Sequence, residues 1–257
     1  MTRIDSYEDL ADNIVGWLKD YYWMHNIKAF VVGVSGGIDS AVVSSLCART
    51  GLPTYVVCMP LESKFENSRL SDAHSKALVE KYDNVKRVEV ELFSAYDSLI
   101  KSIEWWSEAQ HFDKKEFTSS EHAKANTKSR MRMVTLYQIA GSVGGIVVGT
   151  GNKVEDYGVG FYTKYGDGGV DIAPIADLYK TEVWELGEYL EVDQRIVDAD
   201  PTDGLWIDSR SDEEQLGASY AELEEAMETG TGPAVDVLKK FNEQNKHKML
   251  PIPTFKL

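Results

Sequence analysis

Little in this sequence invites a disulfide framework, a membrane segment or a nucleic-acid partner. It has two cysteines in 257 residues, Cys47 and Cys58, each inside an apolar stretch. That usage fits buried thiols in a reducing compartment rather than a cross-linked secreted fold. The five histidines form no His-x-x-x-His pair and none neighbours a cysteine, so no structural zinc is expected. No apolar run approaches the roughly 20 residues that span a bilayer, and "MTRIDSYEDL" is not built as a signal peptide. The expectation is a cytoplasmic protein with no membrane partner. Bases are outnumbered, 27 against 42 acids, a formal charge of −15. Because phosphate contacts supply most nucleic-acid affinity, this balance argues against a nucleic-acid backbone as the main ligand and favours small molecules.

What is present is an ordinary globular composition, 43% hydrophobic and 27% charged, which can bury a core. The length suits one domain over residues 1–257. "KAFVVGV" (28–34) and "TYVVCMP" (54–60) are short β-rich runs separated by "SAVVSSLCART", whose apolar residues recur at helical spacing, a βαβ unit. Similar runs at "VKRVEVEL" (85–92) and "GGIVVGT" (144–150) each follow a helix-like stretch, which predicts a parallel sheet. The glycine-rich stretch 158–174 reads as a loop at the sheet's rim. A helix follows over 177–190, then a long polar loop over 198–217, read as either a lid or a disordered stretch, then helices near 219–229 and 233–245.

The chemistry starts at "GVSGGIDS" (33–40), where a buried strand ends and a helix begins. Glycines there let backbone N–H groups approach an anion, and the free amides of a helix start favour phosphate. The pattern lacks the lysine of G-x-x-x-x-G-K-[ST] and is not G-x-G-x-x-G. Neither an ordinary NTPase nor a Rossmann dehydrogenase is indicated. Ser-Gly-Gly-x-Asp-Ser resembles instead the pyrophosphate loop of ATP pyrophosphatases, which cleave ATP between the α and β phosphates. Such chemistry needs a leaving diphosphate held by amides, hydroxyls and Mg²⁺ on carboxylates, and Ser35, Ser40 and Asp39 supply these groups. "GTGNKVED" (149–156) adds Thr150 and Glu155 beyond another strand, where a second carboxylate would complete the metal site.

The blocks "KANTKSRMRMVTLYQIA", "GTGNKVED", "YTKYGDGGVDIAPIADLYKTEVWELG", "DPTDGLW" and "DEEQLGASY" follow one another in an order similar to ammonia-dependent NAD synthetases, over nearly the whole chain. "GTGNKVED" departs from the "GTDHAAEA" form of some members but keeps the Thr and Glu spacing. The resemblance implies a doubly wound, mainly parallel five-stranded α/β sheet flanked by helices, of the adenine nucleotide alpha hydrolase-like kind. It further implies that Gly33, Val34, Ser35, Gly36, Gly37, Ile38, Asp39 and Ser40, with Thr150, Lys180 and Thr202, bind ATP. Asp39 and Glu155 would carry Mg²⁺, while Arg130, Lys164, Asp171, His247 and Lys248 would contact deamido-NAD⁺. The implied reaction adenylates deamido-NAD⁺ and then amidates it with ammonia, with Asp171 assigned to orient or deprotonate ammonium. A homodimer is implied as well. "IEWWSEAQHF" (103–112) carries aromatic residues for which core packing is the first explanation and a paired surface the second. No glutaminase segment is read in the sequence, so free ammonia is the expected donor. Rival readings are another ATP pyrophosphatase, GMP synthetase-like or tRNA-modifying, and a non-catalytic adenine-nucleotide sensor.

Overall fold

The computed structural model describes residues 3–61, 65–113, 115–201 and 212–256, the side chains of 65–68 excepted. Along the chain run α1 (Tyr7–Met24), β1 (Phe30–Gly33), α2 (Ile38–Arg49), β2 (Thr54–Cys58), α3 (Phe65–Lys81), β3 (Val85–Glu89), α4 (Phe93–Ala109), α5 (Glu121–Val143) and β4 (Ile146–Val148). A π-helix (Lys153–Val159) follows, then α6 (Lys180–Tyr189), α7 (Gln194–Val197), α8 (Asp212–Leu216), α9 (Tyr220–Thr229) and α10 (Val235–Met249). The starts of α1, α5 and α9 are chemically marked. Ser6, Ser120 and Ser219 each accept the amide three residues on, and Glu222 returns the favour to the Ser219 amide in a capping box.

The strands pair in parallel in the order β3-β2-β1-β4, with Phe30 opposite both Thr54 and Ile146. Alternate side chains of each strand feed two cores. Phe30, Val32 and Val148 pack with α1, α2 and α6, whereas Val31, Val57 and Val147 pack with α5 and the start of α4. Helices therefore cover both faces, as a parallel sheet requires. Covered by α1, α3 and α6 as well as by strands, α2 is enclosed nearly all round, with every residue from Ala41 to Ala48 buried. From β1 the chain builds outward to β2 and β3, then returns on the other side as β4. The carboxyl ends of β1 and β4 thus flank the point where open α/β sheets hold ligands.

Three expectations are corrected. Among the described residues the sheet has four strands, not five: the fifth place is held by a single parallel bridge between Val148 and Ile172. Glycines 166, 168 and 169 precede this segment and Pro174, which has no N–H to give, follows it, so pairing cannot extend. The 198–217 stretch is not all loop, since Asp212–Leu216 is helical; residues 202–211, with Thr202 and most of the expected lid, lie outside the described residues. The aromatics of 103–112 also leave the core: Trp105 is 71% exposed, and Trp106 stacks on Phe112 at the surface. Both cysteines are free and buried.

One buried group makes stability depend on pH. His74 of α3 faces α2, its Nε2 2.9 Å from Ser44 Oγ, and burial pulls its pKa down to about 4. The folded state therefore binds fewer protons than the unfolded chain, where the ordinary value is near 6.5. Its contribution is whole above pH 6.5 and is lost as pH falls toward 4. Between pH 7 and 4.5 the loss should be roughly 2 to 3 kcal/mol. Urea unfolding at both pH values should show a smaller acid loss for His74→Gln than for the parent; an equal loss in both would remove His74 as the cause.

Candidate active site

Gly33 ends β1, and the next turn closes on itself. The Ser35 amide donates to Ser40 Oγ (3.1 Å), the Gly37 amide donates to Ser35 Oγ (3.2 Å), and Ser40 Oγ–H donates to Gly37 O (3.0 Å). Gly36 has φ +95°, a conformation side chains rarely adopt, which explains glycine there. Ser71 of α3 anchors the turn from behind by donating to Val34 O (2.7 Å). At its far end Gly37 caps α2 without a side-chain bond, so the first α2 amides have no side-chain partner at the cap. Ser35 and Gly37 are exposed. An open turn backed by a helix N-terminus is an anion cradle.

The other half comes from the end of β4. Asn152 is fully buried and caps the π-helix, its Oδ1 accepting the Val154 and Glu155 amides at 3.1 Å each. Its Nδ2 donates to Asp39 Oδ1 (3.0 Å), tying the second loop to the first. Between the loops lies Lys180, first residue of α6. Its Nζ donates to Asp39 Oδ2 (2.6 Å) and Glu155 Oε1 (2.9 Å). The lysine side chain is 3% exposed, while Asp39 and Glu155 keep 17% and 16%, so solvent reaches the carboxylates but hardly the amine. Tyr220 closes the base: its hydroxyl donates to Glu155 Oε1 (2.7 Å) and its ring centroid lies 5.1 Å from Lys180 Nζ.

Electrostatics follow from this geometry. Burial works against charge on Lys180, but Asp39 and Glu155 outweigh it and hold the amine above the ordinary lysine range. Burial raises Asp39, with Lys180 opposing it; at Glu155 burial is overcome by Lys180 and the Tyr220 hydroxyl, and the pKa falls. Burial first, then the adjacent carboxylate, pushes the Tyr220 phenol far up, so it stays a donor. Two carboxylates against one ammonium leave a negative site. Among the described residues no three His, Cys, Asp or Glu side chains gather into a metal cage.

The residues assigned to the second substrate meet across the segment 160–165. Arg130 Nε donates to Lys164 O (3.3 Å), Lys164 Nζ donates to His247 O (3.4 Å), and Lys248 Nζ donates to Gly160 O and Tyr162 O, 2.7 Å each. Thus α5, the rim loop and α10 bring the Arg130, Lys164 and Lys248 side chains to this segment, while His247 takes part through its backbone carbonyl. Asp171 is engaged differently: it accepts the Val147 amide at Oδ2 (2.8 Å) and the Tyr137 hydroxyl at Oδ1 (3.0 Å). Those bonds finish the free edge of β4, which is a structural task. Thr150 follows β4, next to Gly149, whose amide donates to Ile172 O (2.7 Å).

Four polar residues here escaped the sequence reading: Asn152, Tyr220, Asp156 and Asp167. Asn152 sits inside "GTGNKVED" three residues before Glu155, a capping distance that would have found it. The head of Asp156 lies against Gly151, where a Cβ would fall 1.9 Å from Oδ2. Burial of that head, then Glu155, Asp167 and Asp39, push its pKa well up. Asp167 accepts from Ser129 Oγ (2.7 Å) and the Thr163 amide (2.9 Å), bracing the rim loop on α5. Tyr220 carries no local signal. Asn152→Ala removes one cap and one bond to a carboxylate, and should cost about 2 to 4 kcal/mol of unfolding free energy. A loss under about 0.5 kcal/mol, the level of ordinary surface changes, would contradict the cap.

Comparison with known proteins agrees on one group. A family model described as NAD synthase matches residues 10–253. The chain is 35% identical over 246 residues to the NH(3)-dependent NAD(+) synthetase of Carboxydothermus hydrogenoformans, covering 95% of each. Among solved structures, NMN synthetase from Francisella tularensis is similar at a TM-score of 0.84 and 31% identity, over 99% of this chain and 100% of that one. NH3-dependent NAD synthetase from Campylobacter jejuni shares the fold at a TM-score of 0.76 and 24% identity, over 98% and 100%.

Proposed function

Because the chain belongs to the NAD synthase family, we propose that it converts deamido-NAD⁺, ATP and ammonia into NAD⁺, AMP and diphosphate. The observation that carries this is the convergence of Asp39, Glu155 and Lys180 beside an open glycine turn at the sheet's switch point. The turn 33–40 holds the triphosphate through backbone amides and the Ser35 and Ser40 hydroxyls, with Thr150, Lys180 and Thr202 as further ATP contacts. A nicotinate carboxylate oxygen attacks the α phosphorus and the bond to the β-phosphate oxygen breaks. Ammonia then attacks the activated carboxyl carbon, AMP leaves, and one proton is released. The residues supply no covalent nucleophile in this scheme; positioning and charge neutralisation carry the rate.

The residues fit Mg²⁺: two carboxylates face one cation position, and hard oxygen donors with room for substrate phosphates suit that ion. When bound with ATP, Mg²⁺ neutralises the departing polyphosphate. Arg130, Lys164, His247 and Lys248 form the cationic side that receives deamido-NAD⁺, and Asp171 holds that wall in place through Val147 and Tyr137 rather than acting as the base. The exposed aromatics of α4, with Val134 and Tyr137 of α5, are the surface for a homodimer. Among the described residues no helix is long and apolar enough to cross a membrane.

A second reading is favoured by the likeness to NMN synthetase: the acceptor is nicotinate mononucleotide rather than the dinucleotide. Incubation with ATP, Mg²⁺, ammonium and either acceptor separates the two. A higher kcat/KM for deamido-NAD⁺, with NAD⁺ and AMP formed together, is expected. A higher value for the mononucleotide selects the second reading, and nucleotide binding with no AMP release from either acceptor overturns both.

A further inference from the structure

We propose that Lys180 and the divalent cation compete for the same two carboxylates, so that the free protein fills the metal position with its own ammonium. This rests on the reading that Asp39 and Glu155 take Mg²⁺ with ATP. Lys180 Nζ lies 2.6 Å from Asp39 Oδ2 and 2.9 Å from Glu155 Oε1, the place an ion bridging those two oxygens would take. Mg²⁺ binds oxygens at about 2.1 Å, so ion and ammonium cannot both sit between them.

The other donors to these carboxylates are neutral: the Asn152 amide at Asp39 Oδ1, and the Tyr220 hydroxyl at Glu155 Oε1, the oxygen Lys180 also addresses. The amine is buried behind the carboxylates, with a tyrosine ring beneath it and, among the described residues, no other partner. A polyphosphate in the adjacent turn gives this amine a new anionic partner, and the flexible four-carbon stem allows it to change allegiance. Metal uptake is then coupled to nucleotide: the phosphates draw Lys180 away from the pair and complete the coordination of the ion. By linkage the metal strengthens nucleotide binding by the same factor.

The test is Mn²⁺ binding to the full chain, followed by electron paramagnetic resonance, without deamido-NAD⁺. With no nucleotide, Lys180→Gln should bind Mn²⁺ at least about tenfold more tightly than the parent, and adding Asp39→Asn to that variant should abolish the gain. No gain in Lys180→Gln overturns the competition. Should that variant fail to fold, amine labelling of the parent protein decides. Millimolar Mn²⁺ alone should raise acylation of Lys180, read by mass spectrometry, while bound Mn²⁺ with unchanged labelling overturns the proposal. A chain that shows the competition yet makes no NAD⁺ would sink the assigned activity and leave this inference standing.

Discussion

Lys180→Met is expected to lower the unfolding free energy by about 3–5 kcal/mol at neutral pH, because breaking a buried ion pair strands the charge left behind. Here two carboxylates would be stranded, each largely buried and each deprived of its only cation among the described contacts. The comparison with Lys101 and Asp97 shows that distance is not the deciding variable. That pair is also 2.6 Å long, but its lysine is 71% exposed, and an exposed i,i+4 pair contributes about 0.3–0.5 kcal/mol. Burial makes the difference. Urea unfolding of Lys180→Met and Lys101→Met side by side is the measurement. The Lys180 deficit should narrow with acidification, since protonating the stranded carboxylates removes the buried charge. Equal, small losses in both variants would mean that Lys180 is not the keystone of the site.

Asp39→Asn should leave the fold intact and lower kcat/KM by on the order of 10²–10³, the range seen when one preorganised electrostatic group is removed from a transition state. Asparagine keeps the volume at the start of α2. It removes the charge that Lys180 Nζ and the Asn152 amide both address. Whichever way the new amide turns, it presents an N–H to one of two donors. Steady-state kinetics across a Mg²⁺ range, with circular dichroism to confirm folding, would read this. Activity within about threefold of the parent would be far below that electrostatic effect and would remove Asp39 from the site.

Much of the fold was legible because buried parallel strands are short continuous apolar runs. The runs at 28–34, 54–60, 85–92 and 144–150 became β1 to β4 with a residue or a few trimmed from their ends. The helices near 219–229 and 233–245 are α9 and α10, the first marked by its Ser219 and Glu222 box. The fifth strand came from the resemblance alone: the residues of 158–174 read as a rim loop, and there the structure has a single bridge between Val148 and Ile172. The fate of Trp105 and Trp106 was not legible, since an aromatic pair on a helix has the same local pattern whether it faces a sheet or solvent.

The sequence by itself determined the anion turn, the helix behind it and the sheet edge on which both stand, because each depends on neighbours a few residues away: glycine conformations, a helix start, an apolar strand. The electrostatics came from long-range packing. Asp39 meets a lysine 141 positions later, and Glu155 meets a phenol 65 positions later. No local rule pairs such residues. What joins them is the return of β4 beside β1, which sets two loop ends against one helix start and buries their charges together.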